Sequence, residues 1–184
     1  MARGPGTRAG LTRAAVLDAA RTLLAEDGLP ALTMRALARR LDVAPNALYS
    51  HVADKTELVD ALLDDHLAAV HDPTAAAADP IDALAALMTS TFDVLVTAPD
   101  LVPLYLDRRG ARGDNAVRLG VTMDALLTRA GVATDAIPTA RGNLIVHAIG
   151  SAAFATADGP PSSASGRDSF VAGLGWLLAG IVRS

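Results

Sequence analysis

The sequence predicts an all-α protein in which a small N-terminal three-helix unit is followed by a larger helical body. Apolar residues make up 51% of the 184 residues but aromatic residues only 3%, so Leu, Val and Ala must form most of the core. That composition favours helices over aromatic-rich strands. Apolar residues also recur at helical spacing, and no segment alternates with a period of two for long. A chain of this length suits a small head joined to a larger body.

Local stop and start signals delimit the N-terminal helices. Gly28 is suited to end the first helix, and Thr33 is suited to cap the second. Pro45 fits the first position of a third helix, and Asp54 with Glu57 forms a variant capping box before the fourth. The predicted helices cover residues 11–27, 34–41, 45–51 and 55–70.

The rest of the chain predicts five further helices, separated by Pro, Gly and small residues. These helices cover residues 81–97, 101–106, 115–130, 135–156 and 167–182. Residues 72–79 predict a small-residue loop, and residues 158–166 predict a loop or a disordered stretch. No apolar run is long enough to span a bilayer, so we expect no membrane partner.

The charge of the chain is unevenly distributed. Residues 1–55 carry eight basic and five acidic side chains, a net charge of +3, which leaves −7 for the remainder because the whole chain carries −4. A basic head on an acidic body is typical of a protein that lays one end on a polyanion. Residues 1–10 read as a flexible basic arm and lack the apolar stretch of a signal peptide. The chain has no cysteine, which is compatible with the cytoplasm, the location we expect.

Two short helices joined by a tight turn, with a longer helix on each side, form a helix-turn-helix pattern. In this pattern Leu37, Ala38, Val43 and Leu48 face inward and fix the angle between the short helices. The outward side chains of the second short helix are then available to the base edges of the DNA major groove. The sequence therefore predicts an N-terminal DNA-binding domain.

The segment LTMRALARRLDVAPNALYSHVADK, residues 32–55, resembles the DNA-binding domain of the tetracycline-repressor (TetR) family. Gly28 and the helix before it fit the resemblance, which covers residues 11 to 67. It departs at Asp42, where the family often has glycine, but Asp tolerates a left-handed backbone better than most residues. The implied domains are a helix-turn-helix domain over 11–55 and a helical ligand-binding and dimerisation domain over 56–184.

The resemblance implies eight DNA-binding residues: Thr33, Arg35, Pro45, Asn46, Ala47, Tyr49, His51 and Lys55. Arg35 would read guanine, because its planar fork matches O6 and N7 together. Pro45, Asn46 and Ala47 would face the groove, with Asn46 suited to adenine and the Ala47 methyl to thymine. The other four would contact the DNA backbone. The alternatives are that Tyr49 packs between helices and that Lys55, the only lysine, is ordinary surface charge.

The resemblance also implies a homodimer formed through the C-terminal helices. The segment FVAGLGWLLAGI, residues 170–181, resembles the final helix of the family's body. A helix that is apolar on all sides must be buried on several of them, and an isologous dimer matches a palindromic operator. The alternative is that this helix lies in the core of a monomer.

A small-molecule effector, apolar or aromatic, is the remaining implied partner. The candidate pocket residues are His71, Phe92, Tyr105, Met123, Asn143 and His147, and further candidates are Leu95, Leu104, Leu127 and Phe154. His71 falls where the tetracycline repressors have a histidine that touches the drug. Tyr105 stands near the position that would need a metal-binding histidine, so a magnesium–tetracycline ligand is not implied. We expect no cofactor and no metal.

We expect a repressor that a ligand releases from its operator. Two other functions are open as alternatives. An enzyme would need a site, but Asp64, His66 and His71 are poorly spaced for one metal, and the nucleophile and phosphate-loop motifs are absent from the sequence. We therefore expect that the protein is not an enzyme. An architectural or ligand-independent DNA-binding protein is the second alternative, because the helix-turn-helix pattern says nothing about a ligand.

Overall fold

The computed structural model describes residues 10–72, 79–157 and 164–181, and these residues form helices, turns and short connections without a strand. The chain divides into two compact units, residues 1–62 and 63–184. The division falls inside the fourth helix, whereas the sequence predicts a boundary between residues 55 and 56. The first part of that helix belongs to the N-terminal unit because it supplies the buried side chains Leu58, Val59 and Leu62.

The N-terminal unit contains three helices and the start of a fourth. They are α1 (Arg13–Asp27), α2 (Met34–Arg40), α3 (Pro45–Leu48) and α4 (Lys55–His66). The Thr12 hydroxyl accepts a hydrogen bond from the Ala15 amide, and the Thr33 hydroxyl accepts one from the Ala36 amide, both at 3.1 Å. These bonds satisfy amides that a helix start leaves without a partner, which confirms Thr33 as the predicted cap.

Two turns in this unit use a left-handed backbone. Gly28 follows α1 with a φ of 74°, and Asp42 follows α2 with a φ of 53°. The left-handed conformation predicted for Asp42 is confirmed. It turns the chain sharply, and the Val43 amide then donates to the Ala38 carbonyl at 3.0 Å.

Helix α4 begins at the predicted capping box but ends earlier than expected. The Glu57 amide donates to Asp54 Oδ1 at 2.8 Å, and Glu57 Oε2 accepts from the Ala53 amide at 2.6 Å. The prediction that the helix runs to Val70 is wrong. It ends at His66, a 3-10 turn follows, and Val70 is extended. Proline at position 73 disfavours a helix at residue 72 and at the carbonyl four residues back, so it does not by itself explain why α4 ends as early as His66.

The C-terminal unit is a bundle around a central helix. Its helices are α5 (Pro80–Leu95), α6 (Val102–Arg108), α7 (Asp114–Arg129), α8 (Ile137–Thr156) and α9 (Ala164–Ile181). Helix α5 packs against α7, α8 and α9. Helix α9 begins at Ala164 and not at 167, inside the predicted loop, because alanine is a strong helix former. Most of the predicted loops at 72–79 and 158–166, and most of the N-terminal arm, lie outside the described residues.

The core of this unit contains a short aromatic stack. The Phe170 ring lies 4.5 Å from that of Phe92 and 4.9 Å from that of His147, centroid to centroid. The His147 ring approaches α9 at Gly173, where a Cβ atom would lie 2.8 Å from Cε1. His147 Nε2 is 3.1 Å from the Phe170 carbonyl oxygen. This histidine is therefore a half-buried residue that is packed against an aromatic ring and hydrogen-bonded.

Among the described residues, no single helix is both long and apolar enough to span a membrane. The segments Pro80–Leu95 and Pro99–Arg108 reach the required length and hydropathy only as a pair, and that pair is bent by 99°.

Candidate functional site

The two short helices of the N-terminal unit meet through a small apolar contact. Leu37 and Ala38 on α2 and Leu48 on α3 are each no more than 2% exposed, and Val43 in the turn is half-buried. The small Ala38 side chain permits a close approach of the two helices. This core fixes the direction of α3, whose remaining residues face solvent.

Most of the predicted DNA-binding side chains are accessible. Thr33, Arg35, Pro45, Asn46, Tyr49 and Lys55 are exposed, whereas Ala47 and His51 are half-buried. Tyr49 is 51% exposed, which argues against the alternative that it only packs between helices. The His51 carbonyl accepts a hydrogen bond from the Arg13 guanidinium at 2.8 Å, so the backbone of His51 also ties α1 to the chain after α3.

Ion pairs distinguish the arginines of this unit from one another. Three of them pair with neighbouring carboxylates: Arg13 with Glu57 at 3.4 Å, Arg21 with Asp18 at 2.6 Å and Arg40 with Glu26 at 2.6 Å. The hydrogen bond from Arg40 lowers the pKa of the Glu26 carboxyl. Within residues 10–72, 79–157 and 164–181, the structure gives no ion pair to Arg35, Arg39 or Lys55. These three cations are therefore available to an external anion.

The position of Lys55 is electrostatically unfavourable for the helix that carries it. Lys55 is the first residue of α4, where the helix dipole places partial positive charge. The positive end of the helix dipole repels the Lys55 ammonium group. A phosphate placed beside Lys55 would be attracted by the ammonium group and by the helix N-terminus. This placement favours a phosphate contact over ordinary surface charge.

The C-terminal unit encloses a cavity of about 510 Å³ between α5, α6, α7 and α8. Its walls are mainly apolar, with Leu87, Met88, Leu95 and Met123 among them. Charged side chains also line it: Arg109, Arg112, Asp124 and Arg141. The sequence predicts an apolar or aromatic effector, and these charged side chains add polar groups to the mainly apolar walls. Sequence periodicity identifies apolar helix faces, but it does not show which loop residues close a cavity.

The structure places only some of the predicted pocket residues at this cavity. Tyr105 and Met123 line it, as does Leu95. Phe92 and His147 are instead packed against Phe170, and Leu104 and Leu127 are buried without lining the cavity. His71 and Asn143 are exposed, and Phe154 is 88% exposed. An apolar helix with polar residues scattered around it gives no sequence signal for which face turns inward.

Tyr105 joins the cavity wall to the segment that follows the unit boundary. Its hydroxyl donates to the Leu63 carbonyl at 2.7 Å. Burial raises the pKa of the Tyr105 phenol, and the negative charge of Asp64 raises it further. The hydroxyl is therefore protonated at neutral pH and can donate this hydrogen bond.

Asp64 on α4 caps the N-terminus of α7. One carboxylate oxygen accepts from the Ala116 amide at 2.8 Å, and the other accepts from the Asn115 amide at 3.3 Å. Gly113 has a φ of 133°, and a Cβ atom there would lie 2.5 Å from Asp64 Cγ. Only glycine admits the carboxylate at this distance. Within the described part of the chain, no group of three or more His, Asp or Glu residues is arranged to hold a metal ion.

Large apolar side chains are exposed on α8 and α9, which pack against each other. Val146 and Phe154 on α8 are 69% and 88% exposed, and Trp176 on α9 is 80% exposed. Around Trp176, the exposed positions of α9 include the small residues Ala172, Gly175 and Ala179. A solvent-facing surface of this kind is typical of a protein–protein interface.

The sequence of the N-terminal unit is similar to those of known bacterial regulatory proteins. Residues 16–62 match the family model described as bacterial regulatory proteins, tetR family. These residues run from the first buried residue of α1 through both short helices and into α4. The chain also matches tetracycline repressor protein class D from Escherichia coli with 47% identity over 62 residues.

Residues 16–62 therefore belong to the tetR family of bacterial regulatory proteins.

Two solved structures are similar to this chain over both units. A TetR variant from Acinetobacter baumannii AYE in complex with minocycline is 28% identical, with a TM-score of 0.81, and the match covers 94% of this chain and 97% of that one. A structure of BioQ with its natural double-stranded DNA operator is 25% identical, with a TM-score of 0.77, and the match covers 95% and 99%. The sequence match with the class D repressor, however, covers only 34% of this chain and 28% of the length of that repressor.

Sequence reasoning missed several residues that shape the candidate sites. Arg39 is not among the predicted DNA-binding residues, but it is exposed like Arg35 and has no ion pair within the described residues. The cavity arginines and Gly113 were not considered, although the motif DRRGARGD, residues 107–114, concentrates arginine and glycine in one loop. Asp64 was considered only as a metal ligand. A capping contact that spans 52 residues leaves no local signal.

Proposed function

We propose that this chain is a ligand-released homodimeric repressor that binds a palindromic operator. The observation that carries the proposal is that Arg35, Arg39 and Lys55 have no ion pair within the described residues, whereas the other described arginines of the N-terminal unit pair with carboxylates. The three cations without an ion pair therefore provide positive charge to a DNA backbone and to base edges. The protein would act in the cytoplasm, where it meets its DNA.

The proposed DNA contacts divide into base and backbone contacts. Arg35 reads a guanine, Asn46 pairs with an adenine, and Pro45 and Ala47 make apolar contacts in the major groove. Thr33, Tyr49, His51 and Lys55 contact phosphates and set the register of the domain on the duplex. Support comes from the exposure of six of these eight residues and from the resemblance of their positions to the TetR family.

The proposed dimer forms through α8 and α9. Exposed Phe154 and Trp176 supply the large apolar area that interface centres require. A two-fold dimer presents two identical recognition helices, which matches the symmetry of a palindromic operator with half-sites about one DNA turn apart.

A small molecule in the cavity would release the operator by favouring a different arrangement of α4. Asp64 on α4 is hydrogen-bonded to the start of α7, and Arg112 and Gly113 beside that contact line the cavity. The ligand acts only through its different affinity for the DNA-binding and DNA-free states. A ligand that moves the 109–113 loop is coupled to α4 through Asp64.

Two alternatives make different predictions. An architectural or ligand-independent DNA-binding protein would bind through its cations without sequence preference. A helical enzyme would require a set of reacting groups, and the proposal assigns none.

The salt and sequence dependence of DNA binding tests the proposal. We expect the purified protein to bind a duplex from its own upstream intergenic region about a thousandfold more tightly than a scrambled duplex of equal length and composition. Affinity for both duplexes should fall steeply between about 50 and 200 mM salt, because binding releases counterions. Fluorescence anisotropy with labelled duplexes measures both quantities.

Each alternative has its own outcome in the same titration. Equal affinity for both duplexes with a steep salt response would favour the architectural function and contradict operator recognition. A lack of binding to either duplex at low salt would contradict DNA binding altogether.

A further inference from the structure

The cavity in the C-terminal unit combines apolar walls with unequal numbers of basic and acidic side chains. Arg109, Arg112 and Arg141 line it, and Asp124 is the acidic residue among the lining side chains of the described chain. Asp107 and Asp114 flank the same loop in sequence but do not line the cavity. The lining therefore carries an excess of positive charge.

The single lining carboxylate is already engaged. Asp124 Oδ2 accepts a hydrogen bond from the Arg141 guanidinium, and Oδ1 is buried with no hydrogen-bond partner among the described residues. The pair of Asp124 and Arg141 is therefore close to neutral as a unit. No other acidic residue lines the described part of the cavity to offset the charge of Arg109.

Arg109 occupies a backbone conformation that favours glycine. Its φ and ψ are 56° and 50°, immediately after α6, and Gly110 follows with a φ of 101°. Helices commonly end with glycine in this left-handed position, and a long side chain there is disfavoured. The Arg109 side chain is exposed, and the described part of the chain offers it no ion pair. Local folding thus gives no reason for an arginine at this position.

We propose that the cavity binds an amphipathic organic anion, with its apolar body against α5, α7 and α8 and its acidic group at Arg109. This inference rests on the proposed function, because it names the chemical class of the proposed effector. The guanidinium fork matches the oxygens of a carboxylate or sulfonate and forms charge-assisted hydrogen bonds. Arg112, which donates to the Arg108 carbonyl at 2.8 Å, adds positive potential at the same loop. A cavity of about 510 Å³ is within the usual size of small-molecule sites.

A matched pair of fluorescent dyes tests the charge requirement. 8-Anilinonaphthalene-1-sulfonate and N-phenyl-1-naphthylamine share an apolar ring system, and only the first carries an anionic group. We expect the wild-type protein to bind the sulfonate dye about tenfold more tightly than the neutral dye. Arg109→Gly should abolish this preference and leave the affinity for the neutral dye unchanged. Its melting temperature should not fall, because glycine suits the backbone at this position.

Three control variants separate the possible causes. Asp42→Gly replaces the other left-handed non-glycine residue, and Arg129→Ala removes an arginine of α7 outside the cavity, so both should keep the tenfold preference. Ile145→Trp places a large side chain in the cavity wall and should weaken both dyes, which shows where they bind.

The outcomes distinguish this inference from the proposed function. Equal binding of the two dyes to wild type, with both weakened by Ile145→Trp, would overturn the anionic ligand but leave a ligand cavity. Dye binding that is insensitive to Ile145→Trp would overturn the inference together with the effector role of the cavity. DNA binding is measured separately and is affected by neither result.

Discussion

Replacing Trp176 with arginine is expected to raise the dissociation constant of the proposed dimer by about a thousandfold. A buried interface tryptophan contributes on the order of 2 kcal/mol or more, and a two-fold interface contains it twice, which gives about 4 kcal/mol and hence about three orders of magnitude. Trp176 is 80% exposed within the chain, so the substitution should leave the fold of the protomer intact. Sedimentation velocity over a range of protein concentrations measures the change.

Leu106→Arg is the matched control for this prediction. Leu106 on α6 is also apolar and 51% exposed, but it lies outside α8 and α9. The control should keep the wild-type dissociation constant, and both variants should keep the wild-type melting curve by circular dichroism. Operator affinity should fall in Trp176→Arg, because the dimer dissociates, and should stay unchanged in Leu106→Arg. A Trp176→Arg protein that remains dimeric would contradict an interface through α9.

Gly113→Ala is expected to destabilise the C-terminal unit by about 3 kcal/mol, because it combines backbone strain with the loss of a charged cap. The added methyl carbon would lie within 2.9 Å of all three carboxyl atoms of Asp64 and must expel that group. The amides of Asn115 and Ala116 would then lose their acceptor. Urea denaturation followed by tryptophan fluorescence measures this, because the only tryptophan, Trp176, lies in the C-terminal unit.

A control and a double-mutant cycle identify the cause of this loss. Gly142→Ala on α8 adds a methyl group with no atom within 4 Å, and it should be neutral or stabilise by up to about 1 kcal/mol. In an Asp64→Ala background, Gly113→Ala should cost markedly less than in wild type, since the clash is gone. An equal loss in both backgrounds would assign the effect to backbone strain alone.

The N-terminal unit was predictable because its signals are local. The Thr33 cap, the left-handed Asp42 and the box of Asp54 and Glu57 each depend on residues within four positions of one another. Such local signals do not depend on tertiary contacts, so they can be recognised in the sequence alone. The end of α4 was predicted four residues too late, because apolar residues continue past His66 to Val70 and helix-forming composition does not mark the end.

The C-terminal unit was predictable as helices but not as a site. Helix α8 is apolar around most of its circumference, so the sequence does not show that Phe154 faces solvent while His147 faces Phe170. The cavity depends on which loop closes it, and Arg109 reaches it only because the chain turns sharply after α6. Contacts between distant segments, such as Asp64 with Ala116, follow from the three-dimensional fold.

Footprinting of the upstream intergenic DNA with wild-type protein, Arg35→Ala and Lys55→Ala tests the central claim most directly. The wild-type protein should protect one palindrome. Arg35→Ala should lose discrimination at one base pair in each half-site, worth about 1 to 3 kcal/mol, whereas Lys55→Ala should weaken all sites alike. If no palindrome is protected and both variants behave as the wild type does, the assignment of the N-terminal unit as a sequence-specific DNA reader is contradicted.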